Sequence, residues 1–386
     1  MHRRTTLKLL GLGAATLAIA PTTAGCETAA PAAFAPWSGP PPDVTDVRLR
    51  ALSYASLAPN AHNTQPWLVA LKEDSIDLFV DGARLLPETD PPYRQTHVSQ
   101  GTFLELLVIA LAEEGIASDV IYFPEGEYGN DVLRALPVAR VTLKKEPVAK
   151  DPLFSAITAR RSNKRVYDSG RPLSTEQMQA LSRAPREGDA SVRIISAADA
   201  LGRLTAICTE AMAVEVTAVA RNTETAHWFR FNEQETEQKR DGFGMSQTGR
   251  GAITRWFAEH FLLDRAGAAD PNGAFAKGAI DATREQAGSA AAFGVLFTGA
   301  NTRRAQVIAG RAYARVALSA ASLGLAMHPL SQALEEYADM TKTKARVERE
   351  VGLPPGATVQ MLFRLGHAEP TPHTPRRDVR AIVRPT

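Results

Sequence analysis

Hydrophobic and polar positions along the 386-residue chain follow two alternating periods, and the same succession is met twice. From residue 44 a helical spacing runs to about 57. It is followed by the alternating runs "WLVALK" and "IDLFVD", a long apolar helical stretch at 97–114, and the strand-like "DVIYF" and "ARVTLK". From residue 151 the order returns: helical patterns near 152–160 and 174–184, strands "SVRIIS" and "AFGVLFTG", a long helix at 303–323 and the strand "TVQMLFRL".

The two long helices carry the repeat most plainly. "QGTFLELLVIALAEEGI" (100–116) and "AGRAYARVALSAASLGL" (309–325) align without gaps, with Gly101 opposite Gly310 and Gly115 opposite Gly324. The later glycine of each pair suits a left-handed helix C-terminus. The first helix is apolar nearly all round, which requires burial on several sides, and the second has small residues that permit close approach. Glu-Pro follows the last strand of each half, at 146–147 and 369–370, and "LSYASLAPN" has an echo in "MQALSRAPR", with Pro59 opposite Pro185. The pattern predicts a duplicated α+β fold: a first lobe at 44–150, a second at 151–386, and the long central helices packed together at a pseudo-twofold axis. The second half also carries an insertion at about 215–290, with aromatic residues in "HWFRFNEQETEQKRDGFG" and "RWFAEH", which reads as a lid or clamp or as simple packing.

The N-terminus is different in kind. Residues 1–26 have a basic start, an apolar run from Leu7 to Ala20 and then small residues, the plan of an export signal too short to span as an anchor. Arg3 and Arg4 before "TTLK" resemble a twin-arginine signal, which predicts an exported, extracytoplasmic protein. Cys26 ends this segment and is a candidate for lipid attachment, although Thr23 stands where such sites carry a large aliphatic residue. The Ala/Pro-rich residues 27–43 read as an extended tether. A net charge of +2 without a later basic block gives no sign of nucleic acid or an anionic bilayer as partner, and the eight histidines show no metal-ligand spacing. Cys208 reads as a buried small hydrophobe.

Four stretches carry candidate chemistry. "RRSNK" puts Arg160, Arg161, Ser162 and Lys164 at the end of a short helix, a grouping suited to phosphate. Taken alone it is an ordinary solvated basic turn, and Arg376 and Arg377 taken alone are an ordinary basic tail. Together they can clamp one phosphate. "PNAHNTQPW" (59–67) is too long and amide-rich for a plain turn, and "LGLAMHPLSQ" (323–332) follows the second long helix.

These four stretches together resemble the FMN-dependent nitroreductases, and the two-lobed plan resembles the fused, tandem Acg-like type, in which one chain supplies both halves of the usual homodimer. The resemblance implies one FMN per chain in a seam between lobes, since only one set of motifs is complete, and a functional monomer. It implies that Arg160, Ser162, Arg376 and Arg377 hold the phosphate, with Arg161 beside them among the cofactor-binding candidates, and that Lys164 faces the ring edge where reduced flavin is negative. Pro59, Asn60, Ala61 and Asn63 are implied to contact the ribityl chain or ring from the other lobe. Pro329, Leu330, Ser331 and Gln332 are implied to pack on the ring through backbone N–H groups, with His328 beside it. The activity implied is electron transfer from NAD(P)H to nitroaromatic or quinone-type acceptors. The alternative is a lid-closed flavin-sequestering protein with little reductase activity.

Overall fold

The computed structural model describes residues 31–249 and 265–385. The expected export segment with Cys26, the start of the tether and the "RWFAEH" cluster lie outside the described residues.

The first half begins with helix α1 (Val47–Ala55), capped by the Asp46 side chain accepting from Arg48 N–H, and continues with strands β1 (Trp67–Leu71) and β2 (Ser75–Val80). The long helix α2 (Arg94–Glu113) follows, then β3 (Ala117–Tyr122) and β4 (Ala139–Lys144). The second half runs through α3 (Thr175–Ser182), β5 (Ser191–Ile195), α4 (Ala198–Val216), α5 (Val219–Trp228), the two-residue strands β6 (Phe229–Arg230) and β7 (Phe243–Gly244) around α6 (Glu233–Lys239), then α7 (Arg265–Ala269) and α8 (Ala274–Gly288). It closes with β8 (Ala292–Thr298), the long helix α9 (Arg303–Ser322), β9 (Ala326–Pro329), α10 (Thr341–Val351) and β10 (Thr358–Gly366).

Each half builds one antiparallel four-stranded sheet, ordered β1-β2-β4-β3 in the first and β5-β8-β10-β9 in the second. In order of appearance both read first-second-fourth-third, with the long helix between the second and third strands. Burial differs between them. The first sheet packs one face on α1 and α2, and β3 alternates between half-buried and exposed positions, as expected of a sheet with one wet face. The second sheet is covered on both sides, by α9 on one and by α4, α8 and α10 on the other, which is why "AFGVLFT" is apolar throughout.

Helices α2 and α9 meet through their glycines. A Cβ on Gly101 would lie 1.9 Å from Val307 O, and one on Gly310 would lie 2.0 Å from Val98 O, so the contact reads alike from either helix. Gly115 and Gly324 end the helices at φ +78° and +67°, the left-handed conformation that glycine adopts without a Cβ penalty. The start of α2 is capped from the preceding turn: the Asp90 carboxylate accepts from the Gln95 and Thr96 N–H groups, and burial pushes its pKa up to about 6.

Three local expectations are corrected. The helix at 152–160 is only a 3-10 turn over Pro152–Ala156, begun by Pro152 and an Asp151 cap and followed by β-branched Ile157 and Thr158. Strand β9 has no counterpart in the sequence reading, because it is four residues long, ends in proline and pairs only with β10 at the sheet edge. The described part of the tether is folded: Ala35–Ser38 form a 3-10 turn, and Ala33, Trp37 and Val44 are buried.

Candidate active site at the seam of the two halves

The amide-rich loop after α1 is built from strained backbone. His62, Asn63 and Gln65 all have positive φ, at 48°, 53° and 53°, a conformation costly for side-chain-bearing residues unless their surroundings fix it. The amides do the fixing. Asn60 Oδ1 accepts from Gln65 N–H at 2.8 Å, and Asn60 Nδ2 donates to Ala58 O. Asn63 Nδ2 donates to Gly242 O and Pro375 O at 2.8 and 2.9 Å, and Gln65 Nε2 donates to Arg240 O at 2.9 Å. Pro59 O accepts from Thr102 Oγ1 at 2.6 Å, and Ala61 N–H donates to Ser99 Oγ at 3.4 Å. The loop is thereby stitched to α2, to the C-terminal segment and to the insertion, leaving Asn63 Oδ1 buried without a partner.

Against this loop the second half sets a cluster of arginines. Arg160 and Arg376 are 4% and 2% exposed, and both guanidiniums donate to Leu57 O, at 2.9 and 3.3 Å; Arg376 also donates to Ala58 O at 3.2 Å. Among the described residues, Arg160 Nε, Arg161 Nε and both Nε and Nη1 of Arg376 have no hydrogen-bond partner. Burial and the neighbouring Arg161 push Arg160 down to about 10, although Tyr313 acts the other way; burial and Arg160 push Arg376 well below its ordinary value. No carboxylate figures in either. Buried cations are normally paired, so a cluster with four unsatisfied nitrogens and no counter-charge fits an anion of several oxygens.

Arg377 is placed differently. Its guanidinium meets Asp81 at 3.4 Å and donates to Gln65 O and Trp67 O at 2.7 and 3.1 Å, and its N–H donates to Gln65 Oε1. It braces the loop, and among the described residues its Nε alone finds no partner.

Lys164 lies where several elements converge. Its ammonium sits 4.7 Å from the ring centre of Phe243 in the insertion, and no hydrogen bond or ion pair holds it among the described residues. Burial, with the charge of Arg364, pushes it down to about 8, while Glu215 pulls the other way. The same lysine helps depress His62, which burial lowers to about 4, and His328. Glu215 is itself pushed up to about 7 by burial. Titratable groups from both halves and the insertion therefore share this region. Burial, with the charges of Arg364 and Lys164, pushes His328 well below its ordinary value, and its Nδ1 accepts from Arg364 Nε at 3.2 Å.

Leu330 and Ser331 are anchored to β10: Leu330 N–H donates to Leu362 O at 2.8 Å, and Ser331 Oγ donates to the same carbonyl. The Leu330 N–H is thus engaged inside the fold, while Pro329 and Gln332 are half-buried beside it. Ser162 is half-buried between Arg161 and Asn163.

The structure thus brings Arg160 and Arg376 together against the first-half loop, and places Arg161, Ser162 and Lys164 on the chain that leads away from Arg160. The sequence reading missed Trp37 and His373, which flank the arginines, and Glu215 near Lys164, while Phe243 beside that lysine belongs to the insertion's aromatic stretch. Trp37 stands alone in an Ala/Pro-rich stretch and carries no motif, whereas Phe243 lies within the aromatic stretch at 227–244 that marked the insertion as a lid, clamp or packing element.

Comparison with other proteins defines the class. No family profile matches the chain. A Mycobacterium tuberculosis protein named "Putative NAD(P)H nitroreductase" is 30% identical over 349 residues, covering 89% of this chain and 92% of that protein. A second protein of that organism, named with the suffix acg, is 35% identical over 80 residues, or 21% of this chain and 24% of its own. The chain belongs to the NAD(P)H nitroreductase family. Among solved structures, a Bacteroides fragilis nitroreductase with bound FMN aligns at 14% identity and a TM-score of 0.33, covering 57% of this chain and 90% of its own. An FMN-dependent nitroreductase of Mycobacterium smegmatis in complex with NADPH gives 17%, 0.35, 55% and 86%.

Proposed function

We propose that the protein is an FMN-binding oxidoreductase that moves electrons from NAD(P)H to nitroaromatic or quinone-type acceptors, with one FMN per chain in the seam. The observation that carries this is the Arg160–Arg376 pair, buried, unpaired by any carboxylate and closed by the loop of the other half. Family membership agrees with it. On this reading Arg160, Arg161, Ser162 and Arg376 hold the phosphate, and Arg377 holds the loop that faces it. Asn63 offers its unpartnered Oδ1 to a hydroxyl of the ribityl chain. Lys164 is the cation for the ring, and Pro329–Gln332, fixed on β10, give it a wall. FMN, when bound, supplies the hydride-accepting and electron-donating chemistry, so the protein needs no nucleophile of its own.

The equal strand order of the two sheets and the like-for-like glycine contact support the tandem reading, in which one chain replaces a dimer. We also place the protein outside the cytoplasm, exported by the twin-arginine route and anchored, if at all, by lipid on Cys26. Cell fractionation of an Arg3→Lys/Arg4→Lys variant tests the route: retention in the cytoplasm supports it, and unchanged export refutes it.

A flavin-sequestering role is the second reading, and one observation favours it. The insertion grips the loop through Asn63–Gly242 and Gln65–Arg240 contacts, and Asp241 pairs with Arg84, which itself donates to Thr64 O, so it closes on the same region as a lid would. Anaerobic mixing of the FMN-loaded chain with NADPH separates the two: bleaching of the flavin band supports the reductase, and its persistence supports sequestration.

A further inference from the structure

The segment before α1 carries a large aromatic side chain into the arginine cluster. Trp37 is 7% exposed, and its indole Nε1 donates to Thr374 O at 2.8 Å. Its ring stacks on His373 with centres 4.0 Å apart and planes within 4°. The guanidinium carbons of Arg376 and Arg160 lie 5.2 and 5.8 Å from the indole ring centre, both inside cation–π range. The turn that presents Trp37 is pinned at its start, where Arg376 N–H donates to Ala33 O at 2.7 Å and Ala33 N–H donates to Glu237 at 3.0 Å.

His373 completes the stack as a neutral ring. Its Nε2 lies 3.0 Å from Thr158 O, which can only accept, so Nε2 carries the proton; burial and Arg161 push its pKa down to about 4. Among the described residues the arginines therefore meet carbonyl oxygens and the electron-rich face of one indole, and no charge of opposite sign. A tryptophan face satisfies two cations only in part, and it excludes water from them. This is the arrangement expected of a cover over a charged site whose main counter-ion is a ligand.

We propose that Trp37 is a latch residue, which the Ala33–Ser38 strap closes over the Arg160–Arg376 pair behind a bound phosphate monoester, so that strap docking sets how slowly the cofactor leaves. The inference rests on the flavin reading above. It also requires that any processing of the N-terminus leave Ala33 and everything after it in place.

The test compares release of FMN and of riboflavin, which lacks the phosphate, from the full-length wild-type protein and from Trp37→Leu and Trp37→Phe, followed by the gain of free-flavin fluorescence on dilution. Trp37→Leu speeds FMN release tenfold or more and leaves riboflavin release within twofold, whereas Trp37→Phe, which keeps an aromatic face, stays within threefold of wild type for both. FMN release unchanged in Trp37→Leu, or FMN and riboflavin accelerated alike, overturns the latch. If Trp37→Leu does not fold, His373→Leu, which removes only the stacking partner, replaces it with the same two outcomes. Wild-type protein that takes up no FMN refutes the flavin reading; the latch is then read with inorganic phosphate. A rise in thermal midpoint that Trp37→Leu loses supports it, and no rise, or equal rises, overturns it.

Discussion

Replacing Arg160 by methionine should make the flavin-free protein more stable while destroying its affinity for FMN. Both guanidiniums reach the same carbonyl, Leu57 O, at 2.9 and 3.3 Å, so the donating nitrogens are no more than about 6 Å apart. At an effective dielectric of about 20 their repulsion is about 3 kcal/mol. Methionine removes that repulsion and the desolvation of one cation, and keeps most of the apolar stem. It forfeits one hydrogen bond, about 1 kcal/mol, and the cation–π contact with Trp37, about 0.5–1 kcal/mol, while Leu57 O still accepts from Arg376. The net gain is about 1–2 kcal/mol, seen as a shift of a few degrees in the thermal midpoint. Flavin-free wild type and Arg160→Met are melted with and without FMN: the variant melts higher alone and gains nothing from FMN, whereas wild type starts lower and rises. A variant that melts below wild type without flavin would refute the argument, since Arg160 would then be a structural brace and not a charge held in wait for an anion.

Gly310→Ala should cost about 1–3 kcal/mol or more in urea unfolding, because the new Cβ meets Val98 O at 2.0 Å on a helix that can yield only by separating from α9. Gly101→Ala should cost as much, and the double variant less than the two together, because one separation relieves both clashes. His97 is fully buried and held neutral, its Nδ1–H donating to Tyr93 O, with burial and Arg303 pushing its pKa down to about 3. The unfolded chain therefore binds the extra proton between about pH 6 and pH 4, and stability falls as pH falls; wild type should lose about 1.4 kcal/mol more per pH unit there than His97→Gln, measured by urea titration at each pH. Lys164→Met should leave FMN bound but lower its two-electron midpoint potential, by on the order of 30 mV for each 1.4 kcal/mol of lost charge stabilisation, and an unchanged potential in spectroelectrochemical titration would remove Lys164 from the ring.

What was legible in the sequence follows the range of the interactions involved. The long helices were readable because α2 and α9 carry continuous apolar patterns ended by Gly115 and Gly324, both of which adopt positive φ. The glycine pair 101/310 announced a close approach for the same reason: only the lack of a side chain lets Val307 O and Val98 O come so near. Side-chain partners were harder to read. Asn60 and Gln65 bind backbone groups, because a loop with three non-glycine residues at positive φ needs those amides to hold it. Arg376 and Arg377 are neighbours in sequence but point to different tasks, one beside Arg160 and the other beside Asp81, a division that alternation along an extended segment creates and residue type cannot reveal. Trp37 was invisible because its partners, His373 and Arg376, lie more than three hundred residues away.

If the two halves are copies, as proposed, the seam should have a counterpart on the other side of the α2–α9 crossing, and the residues found there explain why one site suffices. In the gapless pairing of the long helices, Thr102 stands opposite Arg311, and Leu106 opposite Arg315. Thr102 donates to Pro59 O and leaves its loop facing the arginine cluster. Arg311 and Arg315 instead bind Glu105, at 2.6 and 2.8 Å; Arg311 also pairs with Glu187, just after Pro185, and Arg315 with Asp151 at 3.0 Å. Those groups line a cavity of about 330 Å³ in which each buried arginine meets a carboxylate. The charges there neutralise one another and offer no unmatched cation to a phosphate. At Arg160 and Arg376 they remain unmatched, at a cost in stability that only a bound anion can offset. On the proposed duplication, one half-site is closed into an ion network between the two long helices, and the other keeps its charge open for a ligand.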